Sequence, residues 1–175
     1  AGGAAVLAHT LRPALDTAGV AESVAGILGA VRERGDDALV EGARRFDCPG
    51  FTHDRLKVPA AALARAAEAL GVELRTAIRV AADQVRQVAE AGLPGDRSVR
   101  LGAGQEITIR SIPVDAAGVY VPGGRAAYPS SLIMGVVPAQ VAGVERIVVV
   151  SPPGPDGRPA EAILATAALL GVEEV

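Results

Sequence analysis

Apolar residues recur at helical spacing through the first half of the chain, between about residues 18 and 92. The pattern predicts four helices there, separated by glycine and proline-glycine signals. The first has a stripe of valines and isoleucine: Val20, Val24, Ile27 and Val31. The fourth is the clearest, because its apolar residues alternate in steps of four and three: Leu74, Ile78, Ala81, Val85 and Val88. The N-terminal region is therefore expected to be helical.

The hydrophobic period changes from helical to two after this region. Apolar residues then alternate with polar ones in two short runs: Val99 and Leu101, then Ile107, Ile109 and Ile112. Gly102-Ala103-Gly104 lies between the two runs as a turn. The pattern predicts a β-hairpin whose two strands each bury one face.

From Pro113 onward, short apolar runs alternate with helical patterns. Residues 118–121 and 147–150 are predicted to be buried strands. Each is followed by a loop and then a predicted helix, over residues 129–142 and 159–170. This order of strand, helix, strand and helix is typical of half a doubly wound parallel sheet.

These elements place the protein in the α/β class, in two predicted domains. Residues 1–112 form an N-terminal helical region with a β-hairpin, and residues 113–175 form an incomplete Rossmann-like β-α-β-α unit with a parallel sheet. Residues 171–175 are predicted to be a helix C-cap at Gly171 and the start of a third parallel strand. Because a two-stranded parallel sheet leaves open edges, we expect the chain to be the first part of a longer protein.

Composition excludes several classes of protein. Half of the residues are hydrophobic and the net charge is only −3, which argues against disorder and against electrostatic steering to nucleic acid or an anionic membrane. Only four residues are aromatic, too few for base-stacking platforms. With one cysteine the chain forms no internal disulfide, and it has no apolar run long enough for a transmembrane helix. A reducing, cytoplasmic setting is the default expectation.

The strongest local signal for a binding site is the loop after the first parallel strand. It follows Tyr120 and contains Pro122, Gly123 and Gly124. Ligands of open parallel sheets bind beyond the carboxyl ends of the strands, and two adjacent glycines let a ligand approach the backbone. A dinucleotide could bind here. The alternative is that the Gly-Gly turn is structural and that Tyr120 is a core residue.

Few residues offer metal ligation or nucleophilic catalysis. Only His9, His53 and Cys48 supply nitrogen or sulfur ligands, and zinc requires three or four well-placed ligands. Cys48 and His53 are interpreted as part of a surface loop. Ser130 and Ser131 are interpreted as a helix-capping pair, since no histidine lies near them in sequence. We therefore expect no catalytic residue and no metal site within the chain.

A long run around the glycine loop resembles histidinol dehydrogenases. It reads GVYVPGGRAAYPSS over residues 118–131 and continues as PAQVAGV over residues 138–144. The resemblance extends to IVVVSPP over residues 147–153 and, upstream, to VRERGDDAL over residues 31–39. It therefore covers the chain from about residue 12 onward.

The resemblance implies an activity and a set of cofactors. Histidinol dehydrogenases are zinc-dependent homodimers that oxidise L-histidinol to L-histidine, through an aldehyde, with two NAD. In that family the position that matches Tyr120 lines the NAD site, and Pro122, Gly123 and Gly124 form the adjoining turn. The family's zinc ligands and its catalytic Glu-His pair are expected beyond Val175, so the chain alone is expected to be inactive. The alternative is a self-contained, non-enzymatic α/β module that associates through its open sheet edges.

Overall fold

A computed structural model describes residues 18–123 and 126–175. The chain divides into two compact units, the first ending at Glu41 and the second beginning at Gly42. Across the described residues the protein is a mixed α/β chain with an antiparallel hairpin and a parallel two-stranded sheet. The predicted fold class is thus confirmed.

The first unit contains helix α1 (Ala18–Arg34) and the beginning of helix α2 (Asp36–Phe46). Gly35 joins the two helices with a φ of 54°, a left-handed conformation that side chains disfavour. The predicted stripe of α1 remains open, because Val20, Val24 and Ile27 are each about half exposed or more. The sequence thus predicted this helix correctly, and its apolar stripe is not buried within the described residues.

The second unit begins with helical elements. A single 3₁₀ turn (His53–Arg55) precedes helix α3 (Ala60–Ala69) and helix α4 (Val72–Gly92). Pro59 stands just before α3, where its missing N–H costs nothing. None of the described helices combines the length and the apolar character that crossing a membrane requires.

Strands β1 (Arg97–Arg100) and β2 (Glu106–Ile109) form the predicted antiparallel hairpin. Its register separates a polar face, where Ser98 Oγ and Thr108 Oγ1 lie 3.0 Å apart, from an apolar face with Val99 opposite Ile107. The prediction that each strand buries one face is wrong, since every residue of both strands is exposed. Both faces of the hairpin are open among the described residues, and alternation alone does not reveal whether an apolar face is covered.

Strands β3 (Ala116–Tyr120) and β4 (Arg146–Val150) pair in parallel, with Tyr120 opposite Val150. Helices α5 (Pro129–Val141) and α6 (Glu161–Leu169) complete the β-α-β-α unit. One core joins these elements: Val121, Leu132, Val136, Val149, Ile163, Ala167 and Val172.

Among the described residues only one face of the sheet is covered, so the prediction that these strands are buried is wrong. Val119 packs against the core, whereas Tyr120 and Val150 are more than half exposed. Successive side chains of a strand point to opposite faces, which places Tyr120 on the open face. A fully apolar run cannot distinguish one covered face from two.

The last residues, predicted to begin a third parallel strand, form a single parallel bridge to β4. Gly171 ends α6 with a φ of 72°, and Glu174 forms a parallel bridge with Val148. The Glu174 carboxylate accepts two hydrogen bonds from the Arg146 guanidinium, at 2.8 and 2.9 Å. These bonds lower the pKa of Glu174 below its usual 4.5, and the charge of Lys57 acts in the same direction. The terminal segment is thereby fixed against β4.

The helical region and the sheet region share their cores. Leu63 of α3 clusters with Leu164 of α6, and Ile78 of α4 clusters with Ile133 of α5. A hydrogen bond also links the two regions, because the Arg86 guanidinium of α4 donates to the Gln140 side-chain carbonyl of α5 at 3.2 Å. Contacts therefore cross the position between residues 112 and 113, and the domain boundary there stays a prediction.

Candidate functional site

A groove of about 780 Å³ lies beyond the carboxyl ends of β3 and β4. One wall is the loop after β3, with Pro122, Gly123, Ala126 and Ala127. The other wall is the segment after β4, which we call the β4 loop (residues 151–158). The start of α6 and the end of α2 complete the lining. This is the position where open parallel sheets bind their ligands.

The two walls touch at Gly123. A Cβ atom added to Gly123 would lie 3.3 Å from Cδ of Pro152, tighter than an ordinary contact. Glycine therefore permits the close approach of the two loops at the base of the groove. A side chain here would push the walls apart or fill the space between them.

The β4 loop is a compact turn held by its own hydrogen bonds. The Gly154 N–H donates to the Arg158 carbonyl at 2.7 Å, and the Gly157 N–H donates to the Gly154 carbonyl at 2.8 Å. The Asp156 carboxylate accepts from the Arg158 N–H at 3.1 Å. Gly157 has a φ of 76°, so the turn depends on glycine at this position.

Residues 48–55, which we call the support segment, contact the β4 loop from outside the groove. Cys48 is 4% exposed, and its thiol donates to the Pro155 carbonyl at 3.5 Å. The Arg55 guanidinium donates to the Asp156 carbonyl at 2.9 Å. The interpretation of Cys48 as a surface-loop residue is wrong, because an irregular, proline-containing segment does not reveal what packs against it.

The predicted site residues take different positions. Pro122 and Gly123 line the groove. Tyr120 is 65% exposed, lies on the open face of the sheet and is not among the lining residues. Gly124 lies outside the described residues. The roles of all four in cofactor binding stay predictions.

The interpretation of Ser130 and Ser131 as a capping pair is wrong. The N-cap of α5 is Tyr128, Pro129 follows as the first helical residue, and no side chain caps the helix. Pro129 begins the helix one residue earlier than the serines would, which places them inside the first turn. The first N–H groups of α5 are therefore not used by a side-chain cap.

Sequence reasoning missed most of the second wall. The groove is also lined by Phe46 at the end of α2 and Asp47 directly after it, and by three charged residues on the β4 side: Asp156, Arg158 and Glu161. The signal available was the position of the β4 loop, directly after the second parallel strand. Parallel strands place their carboxyl ends at one edge, so both following loops belong to one site.

The described residues do not fit a zinc site. Within residues 18–123 and 126–175, no group of three or more His, Cys, Asp or Glu side chains comes close enough to hold a metal ion. Cys48 is committed to the Pro155 carbonyl, and His53 lies in the 3₁₀ turn. His9 lies outside the described residues.

A family model of histidinol dehydrogenase matches residues 10–175. The histidinol dehydrogenase of Mycolicibacterium smegmatis is 43% identical over 166 residues, which cover 94% of this chain and 37% of that protein. The histidinol dehydrogenase of Synechococcus is 46% identical over 154 residues, which cover 87% of this chain and 35% of that protein. The chain thus spans little more than a third of the length of these relatives.

A solved structure agrees with the sequence relatives. The crystal structure of histidinol dehydrogenase from Elizabethkingia anophelis superimposes with a TM-score of 0.81 at 26% identity, covering 93% of this chain and 36% of that one. Both sequence and fold therefore match over nearly the whole chain. The chain belongs to the histidinol dehydrogenase family.

Proposed function

We propose that this chain is the N-terminal part of a histidinol dehydrogenase that oxidises L-histidinol to L-histidine, through L-histidinal, with two NAD in histidine biosynthesis. The observation that carries the proposal is the groove at the carboxyl ends of β3 and β4, in a chain of this family. Family membership favours the enzyme over a self-contained module. The activity belongs to the whole protein, of which the chain covers about 37% by comparison with its relatives.

The groove suits one end of a dinucleotide. Gly123 lets the two loops meet at the base of the groove, and Pro122 and Pro152 give the walls rigid backbone. Bound NAD would supply the hydride acceptor, with one NAD consumed in each of the two oxidation steps. This chain's contribution is to bind and orient that coenzyme.

Zinc binding and acid-base catalysis are proposed to be carried out by other parts of the protein. The zinc ligands and the catalytic acid-base residues that the family resemblance implies are proposed to lie in the part of the enzyme that this chain does not cover. On this proposal the chain alone is inactive. The whole protein is proposed to be a cytoplasmic homodimer that acts on a small molecule, without nucleic acid or membrane partners.

Tyr120→Ala in the full-length enzyme is expected to raise KM for NAD several-fold and to leave KM for L-histidinol nearly unchanged. The ring stands exposed at the last position of β3, two residues before the groove wall, so its loss removes apolar surface next to the coenzyme. Steady-state kinetics with each substrate varied in turn measures the effect. Tyr120→Phe is the matched control and should retain most of the affinity. An unchanged KM for NAD in Tyr120→Ala would show that Tyr120 does not contribute to the NAD site.

A further inference from the structure

The β4 loop forms one wall of the groove, and two hydrogen bonds join it to the support segment. The thiol of Cys48 and the guanidinium of Arg55 each donate to a carbonyl of the loop, at Pro155 and Asp156. Neither Cys48 nor Arg55 lines the groove. The two donors therefore reach the wall from its outer side.

Arg55 makes the closer of the two attachments. Its Nη1 lies 2.9 Å from the Asp156 carbonyl oxygen, a hydrogen bond from a charged donor. Its side chain also covers Gly157, which is buried and where an added Cβ would overlap the guanidinium. Asp156 itself lines the groove. A shift of Arg55 would consequently be transmitted to the wall through one residue.

We propose that Arg55 is a positioning residue for the coenzyme groove: its guanidinium fixes the Asp156–Gly157 turn and thereby the width of the groove. The inference rests on the proposed function, since it takes NAD as the ligand of the groove. Arg55 touches neither coenzyme nor substrate. Its effect is expected on coenzyme affinity, and binding of L-histidinol and the chemical step should not depend on it.

The test is Arg55→Met in the full-length enzyme. Methionine keeps an apolar stem over Gly157 and removes the donated hydrogen bond. KM for NAD is expected to rise about three- to tenfold, the range expected for one charge-assisted hydrogen bond at an exposed position. KM for L-histidinol, kcat at saturating NAD and the melting temperature should stay close to those of the parent. Arg55→Lys, which still donates to the carbonyl, should recover most of the NAD affinity.

Arg79→Ala is the matched control, because Arg79 is an exposed arginine of α4 that does not line the groove. It should leave both KM values unchanged. An unaltered KM for NAD in Arg55→Met would overturn the inference, as would an equal rise of both KM values with a lower melting temperature. If the parent enzyme does not oxidise L-histidinol with NAD, the proposed function is wrong. This result is distinct from a failure of the Arg55 inference, because it is seen in the parent enzyme without any substitution.

Discussion

Leu132→Ala is expected to lower the free energy of unfolding by about 2–5 kcal/mol, the usual cost of emptying a fully buried leucine site. Leu132 is 0% exposed and lies in the core that joins α5, α6 and both parallel strands. Its neighbours include Val136 and Val149, which are also completely buried. Since strands and helices meet here, little can move to fill the cavity. Urea unfolding followed by circular dichroism measures the change.

Met134→Ala is the matched control for this prediction. Met134 lies two residues away on the same helix and is 68% exposed. Truncation there leaves no cavity, and alanine favours the helix, so the free energy of unfolding should change by less than about 1 kcal/mol. Equal losses in the two variants would show that α5 does not pack on the sheet as described.

Gly135→Ala is expected to destabilise the protein by about 1–3 kcal/mol, the usual cost of overpacking a core, although alanine is the better helix former. A Cβ at Gly135 would lie 2.5 Å from Cγ1 of Val119 on β3, so one element must shift. Valine is stiff about χ1 and sits on a paired strand, which leaves it little room to yield. The same unfolding measurement tests this prediction.

Gly42→Ala is the corresponding control in a helix without such a neighbour. Gly42 lies inside α2, and an added Cβ would meet nothing within 4 Å. The substitution should therefore stabilise the protein by up to about 1 kcal/mol. Opposite signs for the two glycine substitutions would support the close approach of α5 to β3, whereas a gain in stability for both would contradict it.

The order of elements could be predicted from hydrophobic period, because each period reflects a local geometry. The 3.6-residue pattern around Ile78 and the two-residue pattern around Ile107 both correspond to the observed elements. The proline at position 138 did not prevent the helix from being recognised, and the structure places it inside α5. Gly171 likewise marked the end of α6 and adopts a left-handed conformation.

What each element packs against could not be predicted from local pattern. The apolar face of the hairpin and the open face at Tyr120 are exposed in the described chain, although their sequences resemble buried strands. The reverse holds for Cys48 and Phe51, which are buried inside an irregular segment. Burial depends on contacts distant in sequence, such as the 107-residue separation between Cys48 and Pro155.

Only one of the two groove walls could be predicted from the sequence, because the other depends on contacts distant in sequence. The loop with Pro122 and Gly123 was marked by its glycines, and a glycine pair after a strand is a local signal. The β4 loop has its own glycines, but its role depends on parallel pairing that places it beside the first loop. The contribution of Arg55 depends on the support segment folding onto that loop, which no local pattern indicates.

We propose that NAD binds in the groove between the loops that follow β3 and β4, and hydrogen–deuterium exchange of the full-length enzyme with and without saturating NAD can locate the bound coenzyme. Exchange is expected to slow in peptides that cover residues 122–127 and 151–160 and to stay unchanged in the hairpin at residues 97–109. Protection by NAD in other segments, with both groove loops exchanging at the rate of the free enzyme, would show that NAD binds elsewhere.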